Sequence, residues 1–338
     1  MAVLKNTHHS VKMSISKKKI LLTFFIFLAF FVSLTSLLGV SRDYLNYDNF
    51  FSETRNYGFE YLITHRFEPI FCFFSYFFVF MIDNNLLIYA FFVIVSLWLK
   101  GIVLVKNNVS LCIMFLIIIF YTARFFPLLE MTQIRAALSA SFLLLAMQYS
   151  MNAKKNMSLL MFTFAVGFHM SSIILLPFLL YIKTPKRFSI LIISIMILFF
   201  GFFLKDLLIE LLSEHIKVIS IYARQGVAGF GGRANPINSA VILDVLTIIT
   251  GLCLWKKSTI QMKHMLFLQI MGLMIFWSFY NYAVFAHRWR ELVSVFWILY
   301  FAQALGLQGK TRKIFFILCI LNILFYFYLF FFSRHAIF

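Results

Sequence analysis

The stretch KKKILLTFFIFLAFFVSLTSLLGV, from Lys17 to Val40, decides how the rest of the chain reads. Three lysines precede an apolar run from Ile20 to Val40. A run of about 20 residues is long enough to cross ~30 Å of hydrocarbon. It ends without a small-x-small cleavage pattern, so it reads as a retained signal-anchor. The lysines hold residues 1–19 in the cytoplasm. Ser41 to Asn85 is then an external loop.

Composition sets the same class. Of 338 residues, 62% are hydrophobic and only 12% charged, and the mean hydropathy is +0.92. A soluble domain sits near half apolar and a quarter charged. We expect one all-α polytopic membrane domain over residues 1–338. The net charge of +18 would suggest nucleic acid in a soluble protein. Here the lysines lie in short loops beside apolar spans, so no nucleic-acid partner is expected. Cys72, Cys112, Cys253 and Cys319 are scattered through apolar runs without pairing or metal spacing, and packing is their expected role.

Past the anchor, Pro69 to Ile82 is apolar but too short to span, and reads as a helix lying at the interface. Leu86–Val105 runs inward to Lys100 and Lys106. Val109–Tyr121 returns outward to Arg124. Gln133–Met151 goes in to Lys154 and Lys155. Met157–Ile182 has cations at both ends, with His169, Ser171 and Ser172 at its centre. We read two half-length helices meeting near His169, with both ends cytoplasmic; such breaks are tolerated facing protein or a water-filled cavity. Phe188–Leu204 crosses outward. Lys205–Asn238 is a long external loop that opens on an amphipathic helix bearing Asp206, Glu210 and Glu214. Ser239–Trp255 goes in, His264–Val284 out, Glu291–Leu307 in and Ile314–Phe332 out. The total is about nine full crossings plus one broken hairpin. No nucleotide-binding glycine pattern and no internal repeat occur.

On this topology the charges sort by type. All 12 acidic residues and ten of the 12 arginines fall outside, and 16 of the 18 lysines inside. Lysine inside is the ordinary positive-inside signal. Arginine outside has no such cause, and its rigid fork suits phosphate and pyrophosphate. The chemistry is therefore expected on the outer face, with an anionic lipid-linked substrate.

Ionisable groups at membrane depth are costly and usually functional. Arg135 opens a span and reads as a phosphate clamp or a snorkelling anchor. His169 at the helix break reads as a general base, a phosphate ligand or a helix-breaking polar residue. Arg288 and Arg290 are alternate residues and cannot share one helical face; Arg288 is expected inward and Arg290 toward headgroups. In the first external loop, Glu68 precedes Pro69. It reads either as an acid favouring the helix dipole or as the group that takes a proton from an attacking sugar hydroxyl.

Four elements in chain order resemble the EpsG group of Wzy-type bacterial polysaccharide polymerases. They are Asp43-Tyr44 with Tyr47, Glu68-Pro69-Ile70-Phe71, Arg135-Ala136-Ala137-Leu138 and Phe168-His169-Met170-Ser171. Arg288 before a late span is similar too. The family's Gln directly after the first Arg is Ala136 here, with Gln133 two residues before Arg135. The resemblance implies an architecture like that of C-type membrane glycosyltransferases. It implies polymerisation of undecaprenyl-pyrophosphate-linked repeat units at the outer face of the bacterial inner membrane. A flippase and a chain-length regulator are the partner proteins it implies. No metal or other cofactor is expected. The expected site has Glu68 as base, His169 as orienting group and Asp43 in reserve. Arg135, Arg288, Arg290 and Arg124 are expected at pyrophosphate, and Tyr47, Tyr44, Glu130 and Arg224 at substrate. Two other classes compete with this reading. A lipid-linked-oligosaccharide flippase disagrees with the lack of acids in the cytoplasmic half. A membrane O-acyltransferase lacks its early His and Arg.

Overall fold

The computed structural model describes residues 21, 22, 25, 29, 41–107, 109–180, 186–215 and 234–332. Most of the anchor span, Lys183, and Arg224 with much of the loop around it lie outside the described residues. Among the described residues the chain is helical and contains no strand. Four helices are long and apolar enough to cross a membrane: Asn85–Lys106, Ile134–Met151, Ile260–Ser278 and Gly309–Leu329. The chain is therefore a helical membrane protein. Three shorter apolar helices accompany them, Pro69–Met81, Leu111–Arg124 and Ser239–Cys253.

The segment after the anchor is more ordered than a loop. It forms α1 (Arg42–Tyr57), α2 (Phe59–Thr64) and α3 (Pro69–Met81). On α1, Tyr47, Phe50, Phe51 and Thr54 are buried, at the i, i+3, i+4 and i+7 spacing of one helical face. That stripe packs against α3, with Phe50 stacked on Phe71 at 5.8 Å. Pro69 stands in the first turn of α3, where its missing N–H costs nothing.

Next come α4 (Asn85–Lys106), α5 (Leu111–Arg124), the single turn α6 (Phe126–Leu129) and α7 (Ile134–Met151). Asn85 Nδ2 donates to Asp48 Oδ1 at 2.9 Å and to Ser52 Oγ at 2.9 Å, tying α4 to α1. Lys100, expected as a cytoplasmic marker, is instead buried within α4 and paired with Glu130 at 2.9 Å. A charge at that depth requires a partner, and the turn between α6 and α7 supplies it.

The expected break occurs at His169. Helix α8 (Lys155–Phe168) stops there, because His169 takes an extended conformation (φ −155, ψ 106). A 3₁₀ turn (Met170–Leu175) and α9 (Leu176–Leu180) follow. The chain doubles back: Ser158 Oγ donates to Ala146 O at 2.8 Å, and Ser150 Oγ to Leu179 O at 2.7 Å. Both ends of the broken segment thus lie beside the last turns of α7. Fourteen residues rise only about 21 Å, short of a full crossing.

The second half contains α10 (Arg187–His215), α11 (Ser239–Cys253), α12 (Ile260–Ser278), α13 (Ala283–Ser294), α14 (Trp297–Ala304) and α15 (Gly309–Phe332). Two expectations change here. The span from Phe188 and the amphipathic segment after it form one helix of 29 residues, since nothing at Leu204 or Lys205 stops the hydrogen-bond ladder. The single span expected over Glu291–Leu307 is two helices, parted at Val295 and Phe296. The Val293 carbonyl still accepts the Phe296 N–H at 3.1 Å in a tighter turn, and Gln269 Nε2 donates to the same oxygen at 2.9 Å. Trp297, Tyr300 and Phe301 on α14 are wholly buried, as befits a short helix whose residues are apolar except for Gln303 and the Tyr300 hydroxyl.

Candidate active site

Glu68, Arg135 and His169 are separated by 67 and 34 positions, and three helix ends bring them together. Glu68 stands at the start of α3, Arg135 in the first turn of α7, and His169 at the end of α8. A close approach of helices makes this possible. Ile70 on α3 lies against Gly167 on α8, and a Cβ at Gly167 would overlap the Ile70 side chain.

Glu68 does not cap its own helix. Its Oε2 accepts a short hydrogen bond from the Arg135 guanidinium. Its Oε1 meets His169 Nδ1 at 3.1 Å and accepts the Met170 N–H at 3.2 Å. The Met170 amide is available because the break at His169 starts a new helical turn, whose first N–H groups have no acceptor within the helix. Burial pushes the Glu68 carboxyl up. The His169 hydrogen bond, the Arg135 charge and backbone hydrogen bonding outweigh it and bring the value down to about 2. Glu68 is thus a fixed anion at neutral pH. With Nδ1 on Glu68, His169 has Nε2 as its remaining ring nitrogen.

Arg135 lies over the Phe67 ring at 4.0 Å. The Tyr47 hydroxyl lies close to its guanidinium, and Arg135 Nε is buried without an acceptor. Tyr47 is itself buried among Phe67, Phe71 and Tyr89. Tyr44 packs edge-on to Tyr89 at 5.5 Å. Asp43 is half-buried on the first turn of α1, one helical turn before Tyr47. His65 Nδ1 accepts the Phe67 N–H at 3.2 Å, which shapes the approach to Glu68. Burial, aided by Arg66 and Arg135, lowers His65 to about 4.

The later arginines divide. Arg288 is close enough to act electrostatically on His169. Arg290, expected at the headgroups, turns inward: its Nη2 donates to Asp244 Oδ2 at 2.9 Å and its Nε at 3.2 Å. Arg124 donates to Asp244 Oδ1 at 2.6 Å and to Asn322 at 2.9 Å. Trp297 Nε1 also donates to Oδ1, at 3.0 Å. One buried carboxylate therefore holds both arginines beside a cavity of about 310 Å³ that includes His287 and Glu291. Gln133 lies close enough to Glu291 to act on its carboxyl, which brings this second cluster near the residue before Ile134 and Arg135.

Glu130 is enclosed, with 1% of its surface exposed. Its carboxylate is taken up by Lys100, Ser96 at 3.0 Å and the Tyr121 hydroxyl. This geometry gives it protein partners in place of the substrate contact expected of it. Arg224 lies outside the described residues. Among the described residues no three His, Cys, Asp or Glu side chains gather to hold a metal ion.

Asp244, Glu291, Gln133 and Lys100 were not singled out as site or network residues from the sequence. The signal for Asp244 was present: a carboxylate inside an apolar span is costly unless paired. The pairing itself requires the tertiary structure.

The family model described as EpsG family matches residues 18–338 of the chain. No curated protein and no solved structure matches it.

Proposed function

The chain belongs to the EpsG family, a Wzy-like polymerase family, and from that premise we propose that it polymerises undecaprenyl-pyrophosphate-linked oligosaccharide repeat units. The growing glycan leaves one carrier and joins the non-reducing sugar of another, at the outer face of the bacterial inner membrane. The proposal includes about nine crossings and an architecture like that of C-type membrane glycosyltransferases. The observation that carries it is the meeting of Glu68, Arg135 and His169, with Arg288 near.

The reaction needs three things. An acceptor hydroxyl must attack the anomeric carbon, its proton must be taken up, and the bond from that carbon to pyrophosphate must break with the electron pair leaving on oxygen. Glu68 is poorly suited to the proton, since Arg135, His169 and an amide already occupy its oxygens. We assign the proton to His169 Nε2. Glu68 holds the ring through Nδ1 and stabilises the imidazolium that forms. This exchanges the roles expected from the sequence. Arg135 and Arg288 stabilise the pyrophosphate as its charge grows, a strong device in a water-poor site. Arg124 and Arg290 are already engaged by the one carboxylate of Asp244, and we assign them to holding the cavity beside Asp244 in shape. Tyr47 keeps Arg135 in place, and Asp43 and Tyr44 border the acceptor.

Arg135→Lys and Arg288→Lys in cells test the reading. Lysine keeps the charge and loses the fork. Both variants should reach the membrane at normal level and yield mostly unpolymerised repeat units. Full-length polymer from either would reduce that arginine to an anchor.

A further inference from the structure

A second cavity lies at the other end of the bundle, remote from Glu68. Gln148 is in its wall, 13 positions after Arg135 on α7, which is about 20 Å along the axis. The cavity measures about 240 Å³, and its wall also includes Lys106, Asn107, Asn152, Gln261 and Gln303. The glycosyl-transfer chemistry uses none of these residues.

The wall has a definite chemistry. It carries five side-chain amides, one cation and no carboxylate or aromatic ring. The amides are partly engaged with one another: Gln303 Nε2 donates to Asn107 Oδ1 at 3.2 Å, and Asn152 Nδ2 to the Gln148 carbonyl at 2.9 Å. Gln148 is only 7% exposed, and its Oε1 is buried without a hydrogen-bond partner. The Gln148 amide is thus not fully used by the protein itself. At the mouth, Lys106 is exposed and its Nζ is steadied over the Tyr149 ring at 4.3 Å.

Amides in number suit hydroxyl groups, which both donate and accept. A lone lysine with no competing carboxylate suits an anion. The absence of an aromatic platform disfavours a nucleobase, which would stack. The volume is that of about eight waters at ~30 Å³ each, enough for a glycerol phosphate or a sugar phosphate. We propose that this cavity binds a phosphorylated polyol, with the phosphate on Lys106 and its hydroxyls on the amides of the wall, Gln148 and Gln261 among them. Two sources share that chemistry: the headgroup of a phosphatidylglycerol-type lipid, and a soluble polyol phosphate.

The test uses the purified full-length chain. In detergent, its thermal midpoint is followed against glycerol 3-phosphate, with glycerol and inorganic phosphate as controls. In parallel, native mass spectrometry compares retention of phosphatidylglycerol and phosphatidylcholine from mixed nanodiscs. The soluble source predicts a midpoint rise with glycerol 3-phosphate that neither control matches. The lipid source predicts retention of phosphatidylglycerol over phosphatidylcholine by about tenfold. In either case Lys106→Met should weaken binding about tenfold, the scale of one charge-assisted hydrogen bond. Gln148→Leu should do the same. Should Gln148→Leu fail to fold, Gln261→Met tests the amide wall from a half-exposed position. The proposal is overturned if neither probe exceeds its controls, or if folded Lys106 and amide variants bind as the wild type does.

Discussion

Glu68 has two oxygens and three protein partners, and this count decides the assignment of the proton. A carboxylate held at about 2 by His169 and Arg135 is a weak acceptor near neutral pH, where a base works best with a value close to the ambient pH. His169→Ala should therefore reduce turnover by about 10² to 10⁴ while lipid-linked substrate still binds. Glu68→Gln should cost less than His169→Ala, because an amide can still hold Nδ1. A purified polymerisation assay separates the two, and the opposite ranking would return the base to Glu68. Stability gives a second reading. The folded value of Glu68 lies below its ordinary 4.5, so its ionic contribution is complete above about 4.5 and is lost as pH falls toward 2. The thermal midpoint of the wild type minus that of Glu68→Gln should be constant from pH 7 to 5 and shrink below about pH 4. A constant difference down to pH 3 would mean that the carboxylate is not ionically held. Glu68, Arg135 and His169 were legible in the sequence because each interrupts or opens an apolar run. Their mutual bonding was not, since it depends on which helix ends meet.

Helix ends meet here because small residues permit it. Gly167→Val should drive α3 away from α8 through Ile70 and lower polymer yield at least tenfold with the protein still in the membrane. Adding Ile70→Ala should restore part of the yield; no rescue would place the glycine's role elsewhere. The Lys100–Glu130 pair between α4 and the turn before α7 makes a separate demand. Removing one partner strands a buried charge, which typically costs about 3–5 kcal/mol. Lys100→Met and Glu130→Gln should each lower the thermal midpoint in detergent, and Lys100→Met with Glu130→Gln should recover part of the loss. A double variant as unstable as the sum of the singles would mean that the two residues act independently. Long apolar helices and the break at His169 could be read from periodicity and flanking charge. Helix α1 could not, because its buried stripe of Tyr47, Phe50, Phe51 and Thr54 is diluted by polar residues such as Arg42, Asn46 and Asn49. The break at Val295 and Phe296 carries no proline or glycine, and the side chain that bonds beside it, Gln269, is on another helix.

Across the molecule, the doubled-back segment allows a site at one end of the bundle and the amide-lined cavity at the other. Lys154 and Lys186 should share one face. Cysteines placed at both should react with membrane-impermeant thiol reagents only after cells are opened, and labelling of just one in intact spheroplasts would turn the hairpin into a crossing. The arginine asymmetry read from sequence has a mixed outcome. Arg135 and Arg288 act on His169, whereas Arg124 and Arg290 share the one carboxylate of Asp244, a pairing that a count of charges does not reveal. The decisive experiment is reconstitution of the chain alone with lipid-linked repeat units. Wild-type protein should build a glycan ladder and release one undecaprenyl pyrophosphate for each bond formed, and His169→Ala should do neither at a comparable rate. Intact substrate and no released carrier from active-folded wild-type protein, or a full ladder from His169→Ala, would contradict the proposed polymerase site.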